Sequence, residues 1–204
     1  QLLLDKGASL DVQTKKEGNT ALHWASMRGR KEMVQLLLDK GASLDVQNKF
    51  GSTALHRASE NDHEEVVQLL LDKGASLDVQ TTNDCTALHL ASENGNTQVV
   101  QLLLDKGASL DVQNEFGWTA LHLAIEYDRK EVVQLLLKPT LLIPDSAPKL
   151  DVAFRKKHSG ELFEVLSEYE PDQFARMVAI QQIRANNTSA PAHSGTGALQ
   201  LVEL

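Results

Sequence analysis

What these 204 residues lack narrows the possibilities first. There is one cysteine, Cys85, so no intrachain disulfide framework can form and the chain suits a reducing compartment, the cytoplasm or the nucleus. No apolar stretch approaches the ~18 residues that a membrane-spanning helix needs, so no membrane partner is expected. Basic residues are the minority, 20 Lys and Arg against 28 Asp and Glu, for a formal net charge of -8. That sign disfavours a non-specific nucleic-acid or anionic-membrane surface, so no nucleic-acid partner is expected either. The opening QLLLDKG has neither an initiator Met nor the charged-then-apolar layout of a secretory signal. Aromatic residues make up only 4% of the chain, which makes the placement of each one informative.

What the chain has in abundance is repetition. QLLLDKGASLDVQ occurs without a substitution at Gln1–Gln13, Gln35–Gln47, Gln68–Gln80 and Gln101–Gln113, and a fifth copy opens at Gln134 as QLLLK before Pro139 ends it. TALH keeps step, starting at Thr20, Thr53, Thr86 and Thr119, each 33 residues after the last. A fixed period of this length marks a stack of identical supersecondary units, not a globule around a catalytic pocket. Because the chain opens in mid-repeat, it reads as a piece of something longer.

Within a unit the pattern predicts two short helices. Ala21, Leu22 and Ala25 give the first a small apolar face behind Thr20, an N-cap candidate. Gly29 permits a tight turn, and Val34, Leu37 and Leu38 form the apolar stripe of the second helix with Leu36 on its flank. Gly41 stands where a left-handed C-cap wants glycine, and a turn-rich loop leads to the next Thr. Neither helix buries its face alone, so neighbouring units must supply the missing wall.

T-A-L-H-x-A, a central Gly, VV-x-LLL and GA at this period resemble the ankyrin repeat, over residues 1 to about 138. Ala21, Ala54, Ala87 and Ala120 stand where that family prefers Pro, and Asp62, Asp84 and Asp128 replace turn glycines; Asp tolerates left-handed backbone better than most residues. The resemblance implies an all-α solenoid of stacked helix-turn-helix units with projecting β-hairpin fingers and a concave face of fingers and first helices. It divides the chain into an array over 1–138, made of a half repeat 1–14, full repeats 15–47, 48–80 and 81–113, and a truncated repeat 114–138.

The copies differ at the loop tip and at the turn between helices, positions that face partners in ankyrin proteins. The first full unit places Lys16, Glu17, Asn19, Met27 and Arg28 there, and the second Lys49, Phe50, Ser52, Glu60 and Asn61. The third has Thr82, Asn83, Cys85, Glu93 and Asn94, and the fourth Glu115, Phe116, Trp118, Glu126 and Tyr127. Large aromatics on a wet loop make good interface anchors, although Phe50 and Phe116 could instead pack between fingers, and Trp118 and Tyr127 could cover the array's end. Trp24, inside the first helix, is expected to be partial core.

Several residues invite chemistry that their spacing does not support. His23, His56, His89 and His122 recur in register, but packed helices lie ~8–10 Å apart, whereas a zinc ion needs its ligands at ~2 Å. The family resemblance gives this His a structural role, bonding loop backbone. His63-Glu64-Glu65 lacks the second His of a zincin helix and reads as a solvated turn. Cys85 reads as a surface finger residue with no redox context, and the Lys of each DKG as part of a charged ladder of weak pairs. No catalytic residue, cofactor or metal is expected.

Beyond the repeats, PTLLIPDSAPK over 139–149 is a Pro-rich connector. Residues 150–185 are either a degenerate capping unit or an independent helical extension: an amphipathic helix over 160–169, then a second one from Pro171 with an apolar side of Phe174, Met177, Val178 and Ile180–Ile183. Residues 186–204 read as a disordered tail, small and polar over 186–198, and Gly195-Thr196-Gly197 is too short for a nucleotide loop. The expectation is therefore a monomeric, non-enzymatic scaffold that binds another protein. The alternative is a regulatory or spacer arm of a larger enzyme or sensor.

Overall fold

The structure, a computed structural model, describes residues 9–137. The connector, the helical extension and the tail expected from the sequence, with most of the opening half repeat, lie outside the described residues.

Four helix pairs follow one another: α1 (Ala21–Met27) and α2 (Lys31–Asp39), α3 (Ala54–Glu60) and α4 (Glu64–Asp72), α5 (Ala87–Asn94) and α6 (Thr97–Asp105), α7 (Ala120–Glu126) and α8 (Lys130–Leu136). Helices this short are marginal in isolation, so their stability comes from packing. First helices stack on first helices and second on second, while each pair also packs internally. The shared core is repetitive: Leu55, Ala58, Val66, Val67 and Leu70 of one unit recur as Leu88, Ala91, Val99, Val100 and Leu103 of the next, all at most 1% exposed. The first helices pack closely because their inner positions hold alanine.

Each first helix starts the same way. Thr20 Oγ1 accepts from the His23 backbone N–H, and His23 Nδ1 accepts from the Thr20 N–H at 3.2 Å, a reciprocal cap repeated at Thr53, Thr86 and Thr119. After α2, α4 and α6 comes the glycine anticipated above, Gly41, Gly74 and Gly107. Gly41 sits at φ +89°, its N–H donates to Leu38 O and the Ala42 N–H to Leu37 O, satisfying carbonyls that would otherwise be orphaned. Asp62, Asp84 and Asp128 do hold left-handed backbone, at φ +58°, +58° and +53°.

The fingers differ in detail from β-hairpins. Among the described residues no strand forms; each finger is a tight turn closed by a single pair of backbone bonds, Asn48 N–H to Ser52 O and Gly51 N–H to Asn48 O in the second unit. Successive fingers are tied tip to tip, by Lys49 N–H to Glu17 O, Thr82 N–H to Phe50 O and Glu115 N–H to Asn83 O.

A candidate partner-binding face on fingers and turns

The invariance of QLLLDKGASLDVQ has a structural cause, because its polar side chains reach across units. Lys73 pairs with Asp39 of the preceding unit at 3.1 Å and Lys106 with Asp72 at 2.8 Å, and these lysines hold both carboxyls below their usual range. Ser43, Ser76 and Ser109 donate backbone N–H groups back to Asp11, Asp45 and Asp78. Gln47 donates to Gly51 O in its own finger and to Gln80 O in the next, both at 2.9 Å. The charged ladder anticipated from DKG is real, and two hydrogen-bond ladders run beside it. A residue that must match its own copy one unit away cannot vary freely.

The recurrent histidines form a buried fourth ladder. His23 Nε2 lies 2.8 Å from Ser52 O, His56 Nε2 3.1 Å from Cys85 O and His89 Nε2 3.1 Å from Trp118 O. A carbonyl only accepts, so Nε2 carries the proton and Nδ1 is left to accept from the threonine cap. Both ring nitrogens are consumed. Burial dominates their titration, lowering His56 to about 4 and shifting His23 and His89 the same way. Among the described residues no group of three or more His, Cys, Asp or Glu is placed to hold a metal ion.

The residues that vary between copies are distributed less uniformly than the sequence suggests. Phe50, Phe116 and Tyr127 are 51%, 70% and 47% exposed, and Lys16, Arg28, Lys49, Asn61, Thr82, Asn83, Asn94 and Glu115 are exposed with them. Glu17, Met27, Glu60, Glu93, Trp118 and Glu126 are half-buried along the same face. Phe50 and Phe116 therefore do not vanish between fingers. The Phe116 ring meets Trp118 tilted, with centroids 6.3 Å apart, and the Glu93 carboxylate beside Tyr127 raises the phenol pKa.

Three expectations at one register position need correction. Asn19 and Ser52 are buried, 3% and 5% exposed, and Cys85 is half-buried. The carbonyls of Ser52 and Cys85 receive the histidine of the preceding unit, which holds this position against the stack, and Asn19 O accepts from the Thr14 N–H of its own finger. Asn19 also accepts from Asn48 Nδ2 at 2.6 Å, and Asn48 Oδ1 in turn takes the Phe50 and Ser52 N–H groups. Burial pushes the Cys85 thiol pKa up, so it stays protonated.

Trp24 on α1 is 37% exposed, the partial burial expected of it. Its position varies between copies (Trp24, Arg57, Leu90, Leu123), the same signal that marked the tips. One further feature escaped the sequence at the turns. His63, expected to be solvated, caps α4 and bonds Met27 O in the preceding turn at 3.0 Å. From the equivalent positions Asn96 reaches Glu60 O at 3.2 Å, with a shorter bond of 2.7 Å to Ser59 O, and Arg129 reaches Glu93 O at 2.9 Å. Three different side chains make one bond. Their sizes follow the turn they cover: His63 and Arg129 lie over Gly29 and Gly95, where an added Cβ would come within 2.6 and 2.8 Å of them, whereas the smaller Asn96 accompanies Asp62.

No helix of the described residues is long and apolar enough to cross a membrane. Compared with known families, the chain matches ankyrin repeats (3 copies) over residues 1–81 and again over 74–144. Among curated proteins no match was found.

Proposed function

This chain belongs to the ankyrin-repeat family, and we propose that it is a non-catalytic scaffold holding another protein on its fingers and inter-helix turns. Ankyrin repeats are generally protein–protein interaction modules and typically non-catalytic. One observation carries the assignment to this face. Polar residues identical in every copy, such as Asp39, Lys73, Ser76 and Gln47, are engaged between units, whereas Phe50, Phe116 and Tyr127, which differ between copies, stay exposed. Large aromatics on a fixed frame bind with little ordering cost, which favours affinity. The scaffold acts as a monomer in the cytoplasm or nucleus, and it needs no cofactor.

The test is affinity capture from cell lysate with the full chain as bait, beside a variant carrying Phe50→Ala, Phe116→Ala and Tyr127→Ala, after circular dichroism shows equal helicity. A protein captured by the native chain and lost from the variant is the expected result. A protein retained equally by both would move the site off this face.

A further inference from the structure

The variable face is electrically polarised from one end to the other. At the finger tips, Lys15 and Lys16 with Glu17 leave the first unit one positive charge and Lys49 gives the second one, whereas Asp84 and Glu115 give the last two one negative charge each. The turns change sign in the same direction: Arg28 and Arg30 in the first unit, then Glu60 and Asp62, Glu93, and Glu126 and Asp128 against Arg129. Glu60 is offset by Arg57 at 2.9 Å, so the second unit is the crossover. Nothing comparable runs along the second helices, where Lys31 pairs with Glu65 at 3.5 Å and α6 carries no charge ahead of its invariant Asp105. The invariant stretch contributes the same charges to each unit and cannot produce a gradient.

Spacing makes the two ends separable. Units stack at ~10 Å, so four fingers span about 30 Å, which an extended chain at ~3.3 Å per residue covers with about nine residues. The screening length at physiological salt is ~8 Å, so charges at one end are felt locally and do not cancel those at the other. The exposed rings of Phe50 and Phe116 lie along the path between and beside them.

We infer that the partner segment is an extended, charge-polarised peptide, its acidic end on the Lys15, Lys16 and Lys49 tips and its basic end beside Asp84 and Glu115. This inference rests on the finger-and-turn face being the binding face. Charge order then selects partner and register, and the aromatic side chains supply affinity.

Two synthetic 14-residue peptides of one composition test it, one with acidic and basic blocks at opposite ends around an apolar centre, the other with its charges alternating. Binding to the full chain is read by fluorescence anisotropy, and to a Lys15→Glu, Lys16→Glu, Lys49→Glu variant whose helicity matches. The block peptide should bind about tenfold more tightly than the alternating one, with the advantage shrinking at high salt. In the variant that advantage should vanish, and an all-basic peptide should become the better ligand. Equal binding of the two peptides, lowered for both by Phe116→Ala, would overturn the polarity while leaving the face itself as the binding site. A block-peptide preference that survives charge reversal would overturn it as well. So would binding of neither peptide, with the face then judged by the capture experiment alone. A concentration-dependent dimer in sedimentation that the variant abolishes would assign the face to a second copy and overturn it too.

Discussion

Gln47 and Phe50 stand three residues apart on one finger, under different constraints. Gln47 recurs in every copy and its amide joins two units through Gly51 O and Gln80 O. Phe50 becomes Asn83 and then Phe116 along the stack, and half its surface meets solvent. The same contrast runs through much of the repeat: His, Asp, Lys, Ser and Gln residues whose side chains bond across units stay fixed, while the exposed rings at the tips, whose side chains make no such bond, change. A repeat array teaches this more directly than a globule does, because each position is tried several times in one chain with the frame held constant.

The comparison is broken most severely at the core. Leu70→Ala, at a fully buried site walled by two neighbouring units, should destabilise by ~2–5 kcal/mol, whereas Phe116→Ala should stay within ~0.5 kcal/mol. Urea denaturation of both variants decides it, and similar losses would mean that the tips hold the fold.

Acid should act on the fixed set alone. An unfolded histidine titrates near its model value of 6.5 and His56 in the fold only at about 4, so the folded state binds fewer protons between these values. Stability is therefore fully present above pH 6.5 and falls as pH drops towards 4, by up to ~1.4 kcal/mol per pH unit for each such histidine. Urea midpoints at pH 7 and 4.5 should show it, and the same drop should appear in the Phe50→Ala variant.

The bridging positions sharpen the comparison, because there a variable residue serves the frame. Gly29→Asp should cost ~1–2 kcal/mol, since the new side chain meets His63 on left-handed backbone. Adding His63→Asn should recover much of that, copying the Asp62 and Asn96 arrangement one unit on. A double-mutant cycle measures the coupling, and independent effects would refute the pairing.

The smallest effect concerns Ser26, Ser59 and Ser92, whose buried hydroxyls have no hydrogen-bond partner. The fourth copy has Ile125 at that position, 2% exposed. Ser59→Ala should be neutral or stabilise by up to ~1 kcal/mol in thermal unfolding, because it removes an unpaid desolvation.

The helices, their caps and the left-handed turn residues were legible because each rests on local chemistry: Thr20 before ALH, Gly41 after the apolar stripe, Asp62 in place of glycine. The shared exterior signal also held for Phe50, Phe116 and Tyr127. What failed was direction within the finger. Ser52 and Cys85 vary as the tips do, but only their carbonyls matter to the histidine ladder, and a carbonyl constrains no side chain. His63 was hidden because His, Asn and Arg share only the ability to donate a hydrogen bond. Reading Gly29 with His63, Asp62 with Asn96 and Gly95 with Arg129 would have exposed that link in the sequence.

The most direct test of the division between frame and face is a saturation scan across residues 9–137, read once by protease resistance and once by retention of the captured protein. Positions in the Gln, Ser–Asp and His ladders should lose resistance, while Lys16, Phe50, Phe116 and Tyr127 lose capture with resistance intact. Tips and ladders failing both readouts together would contradict it.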